Sequence, residues 1–153
     1  MKYANMIISF LLRLGLPIGP QALLTVPGRK TGLPRTTPIA LNACDSGWQL
    51  VSVYGEVDWV KNLRAAGSAL VTRRLRKVAV VVRELEAHQA APVLRDLVAA
   101  IGPMVRPVIG RYFATDPTAP LEAWQEEAAR HPVFILTPVE SAYRIPTTDY
   151  MVE

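Results

Sequence analysis

Between residues 22 and 85 no apolar run is longer than a β-strand, and each one stops at a glycine, a proline or a cluster of charge. A chain cut this way builds short strands and turns there rather than long helices, because proline removes a backbone donor and glycine frees the backbone to reverse. Thirteen prolines in 153 residues carry that punctuation along the whole chain. The runs at 22–26, 36–43, 48–54, 69–72 and 78–85 are rich in β-branched and apolar residues and read as strands. Pro38 makes part of the second strand an edge or a bulge. Asp45-Ser46-Gly47 marks a hairpin turn, and a second hairpin turns through Arg73, Arg74, Arg76 and Lys77. Between the hairpins, Asp58 is placed to cap a short helix running through Trp59, Asn62 and Leu63 to Ala66, with Gly67 as its stop.

From Glu86 onward the period changes. Val93, Leu94, Leu97, Val98 and Ile101 recur at helical spacing and end at Gly102-Pro103; helical pieces at 104–113 and 121–130 follow, then a last strand at 133–137. Six mostly antiparallel strands, with helices inserted before the final one, make an α+β chain that is mainly β. Short strands of this kind remove their exposed edges by curling into a small barrel. The expected organisation is an amphipathic helix at 1–20, a barrel domain at 21–140 and a tail at 141–153.

Half of the residues are hydrophobic and 20% are charged, which excludes a disordered chain. In the first segment Met6, Ile7, Ile8, Phe10, Leu11, Leu12, Leu14 and Leu16 form an apolar face, but Arg13 interrupts it and no small-x-small cleavage site follows. Packing on its own domain and lying on a membrane surface both remain open for that helix. Cys44 is the single cysteine, so an intrachain disulfide and a zinc ribbon are excluded, and a cytoplasmic chain is the simplest fit.

Seventeen Lys and Arg against thirteen Asp and Glu leave a net charge of +4, which favours an anionic partner wherever the cations cluster. They cluster best in Pro27-Gly28-Arg29-Lys30-Thr31-Gly32-Leu33-Pro34-Arg35-Thr36-Thr37-Pro38. Two glycines bracket Arg29, Lys30 and Thr31, so the backbone can turn and expose N–H groups beside positive charge and hydroxyl donors. Those are the groups a phosphate or carboxylate needs. The spacing is not that of a Walker loop, and a solvated hairpin turn without a ligand has the same composition.

The string Gly28-Arg29-Lys30-Thr31-Gly32-x-Pro34-Arg35 resembles the deazaflavin-dependent nitroreductase family of actinobacteria. The resemblance continues at Asp58-Trp59-x-x-Asn62-Leu63-x-Ala65 and at Arg130-His131-Pro132-Val133-Phe134, and it covers residues 22–138. It implies a split β-barrel like that of the FMN-binding oxidases. It also implies coenzyme F-420, an 8-hydroxy-5-deazaflavin with a phosphate and a polyglutamate tail, with FMN as the alternative cofactor. By similarity Arg29, Lys30, Thr31 and Gly32 hold the phosphate end, and Pro34, Arg35, Thr36, Thr37 and Pro38 line the path to the ring. Val51, Ser52, Val53, Tyr54 and Gly55 run past the ring face, with Trp59 and Asn62 behind it. Many members carry small residues and a lysine where Val53 and Tyr54 stand here.

The activity implied is hydride transfer to an electron-poor, apolar organic substrate such as a quinone, an enone or a nitroaromatic. Tyr112, in the helical insertion, and Tyr54, on the strand nearer the cofactor, are the candidate proton donors or substrate contacts. Met104, Val105, Val108, Ile109 and Phe113 would form an apolar pocket wall or a core face. The competing reading is a non-catalytic protein that binds a flavin, a deazaflavin or a lipid; a monomer and a homodimer are equally open. Nucleic-acid binding through the Arg73–Lys77 cations is disfavoured for lack of interleaved aromatics. Nothing fixes His88 or His131 near Cys44 for nucleophilic catalysis, and two histidines without clustered carboxylates argue against a metal site. Glu122, Glu126 and Glu127 read as the solvated face of a helix.

Overall fold

The computed structural model describes residues 21–100, 107 and 110–139. In chain order these form strands β1 (Gln21–Pro27), β2 (Pro34–Ala40), β3 (Asn42–Cys44) and β4 (Gly47–Val51), then helix α1 (Asp58–Ala66). Strands β5 (Ser68–Arg73) and β6 (Arg76–Glu84), helix α2 (Ala87–Ala100), a 3-10 turn at Gly110–Tyr112, helix α3 (Leu121–Arg130) and strand β7 (Val133–Pro138) follow. The strands form one antiparallel sheet in the order β2-β1-β5-β6-β7-β4-β3.

There are seven strands among the described residues, not six, because the run at 36–43 is two strands. β2 pairs with β1 and β3 pairs with β4, yet only Leu41 separates them in the chain. Two opposite edges of one sheet that lie a single residue apart must approach each other, so the sheet curls into a half-barrel. Leu41, at the corner, is fully buried. Both halves of the run are apolar, so hydrophobicity alone carries no sign of the break. Pro38 does sit on an edge strand, where a missing ladder donor is tolerated.

The concave face is filled by Leu24, Val26, Val71, Val80, Leu50 and Leu136, with Val60 and Leu63 of α1 set among them. Each such fully buried aliphatic side chain contributes about 1.5–3 kcal/mol relative to exposure. A second cluster joins α2 and α3 through Ala91, Leu94, Val98, Phe113 and Trp124, and β7 supplies Val133 to it. Because Phe134 and Leu136 face the barrel, residues 133–136 are buried without a break, as expected for a strand covered on both sides.

Gly67 ends α1 in the left-handed conformation, its N–H reaching the Leu63 carbonyl at 2.9 Å. Asp58 is the first helical residue rather than the cap, and its carboxylate makes no capping bond. β4 stops at Val51, so Ser52, Val53, Tyr54 and Gly55 form a turn instead of extending the strand. Of the helical piece expected at 104–113, the 3-10 turn at Gly110–Tyr112 is seen; Met104, Val105, Val108 and Ile109 lie outside the described residues, as do the segments 1–20 and 141–153.

One consequence of the strand order positions the site. Successive neighbours alternate in direction, so β1 and β4 run the same way and finish at the same end of the half-barrel. The turn at 28–33 and the turn at 52–55 therefore share that end, together with the first turn of α1.

Candidate functional site

The 28–33 segment closes the β1–β2 hairpin by two backbone bonds, Gly28 N–H to Leu33 O and Gly32 N–H to Gly28 O, both 2.8 Å. Gly32 takes φ +71°, and a Cβ there would meet nothing within 4 Å, so glycine serves the turn's backbone geometry and leaves open space beside it. The Thr31 hydroxyl oxygen accepts the Leu33 N–H at 3.2 Å, which leaves its proton to donate outward. The N–H groups of Lys30 and Thr31 find no acceptor among the described residues.

This turn is held by α1. Asn62 is only 5% exposed, and its Oδ1 accepts both the Arg29 backbone N–H (3.1 Å) and the Arg29 guanidinium (2.8 Å). The same guanidinium reaches Asp58 at 3.3 Å. Thus the two strings that stand apart in the sequence, Gly28–Gly32 and Asp58–Asn62, are one physical unit. The Arg29 guanidinium is engaged by Asn62 Oδ1 and Asp58, whereas Lys30 and Arg35 have no ion-pair partner among the described residues.

The remaining expected contacts divide by position. Pro34, Arg35, Thr36 and Pro38 lie exposed on the edge strand, and Thr37 is half-buried. The hydroxyls of Thr25 and Thr36 are bonded across the hairpin at 2.8 Å. Trp59 is half-buried against the barrel core, its ring 6.2 Å from that of Phe134. Val51 and Val53 pack against the helical cluster. Ser52 is buried, and its hydroxyl donates to Gly55 O at 2.6 Å, which ties the 52–55 turn together.

The two candidate tyrosines meet. Tyr54 and Tyr112 pack edge to face, ring centroids 4.9 Å apart and planes at 86°. Partial burial, then the neighbouring Tyr112, raises the Tyr54 phenol above the usual tyrosine range, with Arg111 pulling the other way. Tyr54 accordingly keeps its proton throughout the neutral range.

Beneath them lies a pair that the sequence reading missed. Glu127 is fully buried rather than solvated, and Oε1 accepts the N–H of Ala114 (2.5 Å), the N–H of Thr115 (2.8 Å) and the Thr115 hydroxyl (3.0 Å). Arg130 approaches the same oxygen at 3.5 Å. Oε2 faces the His131 Nε2 at 3.3 Å, off the hydrogen-bond axis. His131 is 5% exposed, donates from Nδ1 to Ser52 O at 3.2 Å and stacks on Phe113 at 4.3 Å. Trp124, Glu127 and His131 are spaced i, i+3, i+7, so helical period from the tryptophan was the signal that could have found them. Glu122 and Glu126 are exposed, as read. Cys44 lies beside Ser46, with no histidine at its thiol among the described residues.

An open groove of about 340 Å³ runs beside the cationic turn, lined by Thr25, Pro27, Pro34, Ser68, Leu70 and Val139 among others. Tyr54 and Tyr112 do not line it. Among the described residues no group of three or more metal-ligating side chains occurs, and no helix is long and apolar enough to cross a membrane.

The sequence model of the F420H(2)-dependent quinone reductase family matches residues 12–106. None of the curated proteins matches the chain. Among solved structures, a pyridoxamine 5'-phosphate oxidase-related, FMN binding protein from Nostoc punctiforme is similar over 91% of this chain and 82% of its own, at 13% identity and a TM-score of 0.55. A protein solved as a domain-swapped dimer is similar over 87% of this chain and 98% of its own, at 16% identity and a TM-score of 0.51. An F420-H2 dependent reductase, FDR-A, is similar over 76% and 93%, at 22% identity and a TM-score of 0.42.

Proposed function

Since the chain belongs to the F420H(2)-dependent quinone reductase family, we propose that it binds coenzyme F-420 on the 28–33 turn and reduces an apolar, electron-poor acceptor beside it, a quinone first of all. The observation that carries this reading is the division of labour in the turn. Asn62 and Asp58 fix Arg29, so the backbone is held in place before any ligand arrives, while Lys30, Arg35, the Thr31 hydroxyl and the N–H groups of Lys30 and Thr31 are left to a ligand. Two cations and several donors on a pre-held loop fit the phosphate and carboxylates of that coenzyme. They would draw a polyanion from solution and orient it with no reorganisation of the protein.

When bound, the reduced coenzyme supplies the hydride, and the acceptor must also gain a proton. Tyr54 is the phenol we assign to the proton, because it rides on the 52–55 turn, at the same end of the half-barrel as the 28–33 turn, and a phenol is protonated at neutral pH. Tyr112, 40% exposed, would face the incoming substrate and hold the Tyr54 ring by its edge. Pro34, Thr36, Thr37 and Pro38 on β2, with Val51 and Trp59 across the same end of the half-barrel, would limit where the coenzyme ring can lie.

The test is retention and turnover. The purified protein is offered F-420, FMN and FAD, and the reduced deazaflavin is then mixed with menadione. We expect F-420 to be retained, its oxidation to accelerate with the quinone, and Lys30→Ala to weaken F-420 binding by about three- to tenfold, the worth of one exposed charge-assisted contact. No affinity for any deazaflavin or flavin would end the proposal. Retention of FMN in place of F-420 would keep the site and change the cofactor.

A further inference from the structure

The edge-to-face tyrosines come from segments 58 residues apart in sequence, as 112 less 54, and neither belongs to a strand or an α-helix. Tyr54 rides on the 52–55 turn, and Tyr112 ends the 3-10 turn that leads into Ala114 and Thr115. Something must hold both. We propose that Glu127 and His131 are positioning residues for this pair: the carboxylate grips the segment after Tyr112, the imidazole grips the turn bearing Tyr54, and the two side chains face each other. The inference rests on the assignment of those tyrosines to the substrate end of the site.

The geometry is specific. Glu127 takes three donors from Ala114 and Thr115 on one oxygen while itself fully buried. A carboxylate is not buried for packing alone, since its desolvation costs several kcal/mol unless donors or charge offset it. His131 reaches Ser52 O through Nδ1, the adjoining Pro132 carbonyl accepts the Ser52 N–H at 2.9 Å, and Phe113 packs on the imidazole with its ring tilted by 33°. The stretch from Glu127 to Pro132 is therefore a clamp with one jaw on each tyrosine-bearing segment. Its jaws meet at the 3.3 Å contact between Oε2 and Nε2. Neither residue makes a hydrogen bond or ion pair with the 28–33 turn.

Glu127→Gln keeps an oxygen for the Ala114 and Thr115 donors and an amide toward His131, whereas Glu127→Ala and His131→Ala each open one jaw. We expect Glu127→Gln to retain kcat/KM for menadione within about twofold, and the alanine variants to lose on the order of tenfold, with F-420 affinity, anchored at the 28–33 turn, falling by less than about threefold. Should Glu127→Ala fail to fold, His131→Asn replaces it. A second readout needs no coenzyme: the Tyr54 phenol, isolated by subtracting the absorbance titration of Tyr54→Phe, titrates above the usual value of 10.0 in the parent. It should fall back toward that value in the alanine variants and stay high in Glu127→Gln. If neither turnover nor the titration moves in folded alanine variants, or if glutamine is as damaging as alanine, the positioning role is overturned. If the titration moves while turnover does not, the clamp stands and the tyrosines' part in the reaction falls instead.

Discussion

Replacing Asn62 by alanine tests whether the cationic turn is held before its ligand arrives. The substitution removes one acceptor, Oδ1, from two donors at once, the Arg29 backbone N–H at 3.1 Å and the guanidinium at 2.8 Å. A neutral hydrogen bond contributes about 1 kcal/mol net and one to a charged group about 1.5–3 kcal/mol, so the gross loss is about 2.5–4 kcal/mol. Two features reduce it. The Arg29 side chain keeps 28% of its exposure, so water can replace part of what is lost, and Asp58 still attracts the guanidinium. A net release of about 1.5–2.5 kcal/mol is the working figure. Most of it should appear as local loosening of the turn rather than as lost global stability, because the hairpin bonds of Gly28 and Gly32 and the barrel core are untouched.

The coenzyme then has to select the held conformation from a looser ensemble, and each 1.4 kcal/mol of that cost is about a tenfold rise in Kd. Fluorescence titration of F-420 against Asn62→Ala should show Kd raised by about ten- to sixtyfold, with the urea midpoint lowered only slightly. Arg29→Met supplies the control. It removes the guanidinium but leaves the backbone N–H bond to Asn62, so it should cost less than Asn62→Ala, and the double variant should fall short of the sum. An unchanged Kd in Asn62→Ala alongside a large fall in the urea midpoint would refute the reasoning, for Asn62 would then be a polar residue of the core with no part in pre-forming the turn.

Two further expectations concern the scaffold. Gly47→Ala should be among the most damaging single changes in the described chain, because φ is +147° and a Cβ would stand 2.2 Å from the Leu136 backbone oxygen; a loss of about 3 kcal/mol or more, read by urea unfolding, follows from strain that β4 and β7 cannot relieve without parting. The network of Glu56, Arg64 and Glu84 should make stability fall in acid. The Arg64 guanidinium, bonded to Glu56 at 2.5 Å and to both oxygens of Glu84, holds the Glu56 carboxyl below its ordinary 4.5, so the contribution is present above that pH and is lost as pH falls through the depressed value. With all three side chains more than a third exposed the network merits no more than about 1 kcal/mol, so Arg64→Met should trail the parent by that amount at pH 7 and converge with it only once pH has fallen below the depressed Glu56 value.

The fold was legible wherever one local rule decided it. The strand runs at 22–26, 69–72, 78–85 and 133–137, the Asp45-Ser46 hairpin and Gly67 at the end of α1 are each set by turn chemistry or period within a few residues, and each stands within a residue or two of where the rule placed it. The corner at Leu41 was not legible, because what separates β2 from β3 is the partner each finds, β1 for one and β4 for the other, and both partners favour the same kind of residue. The end of β4 was overstated for a similar reason. Ser52, Val53 and Tyr54 have strand composition, but Ser52 bonds to Gly55 and to the chain after His131, which bends them out of the sheet.

The site divides along the same line, between what a segment says about itself and what two segments say only together. The glycine-bracketed cations and Asp58-Trp59-x-x-Asn62 were each conspicuous alone, but the bond that makes them a unit spans 33 residues and has no local signature. Tyr54 and Tyr112 were selected separately for a phenol's chemistry, and their contact emerges from the clamp at Glu127 and His131. That clamp was hidden by a rule that is right on average: glutamates on an amphipathic helix face water, and Glu122 and Glu126 do. Glu127 is the exception because it stands three residues after Trp124, on the side that packs, and because Ala114 and Thr115 turn their N–H donors inward to its carboxylate. A carboxylate drawn into such a place is informative for the reason that makes it rare. It is tolerated only where it holds something, and here it holds the segment that carries Tyr112.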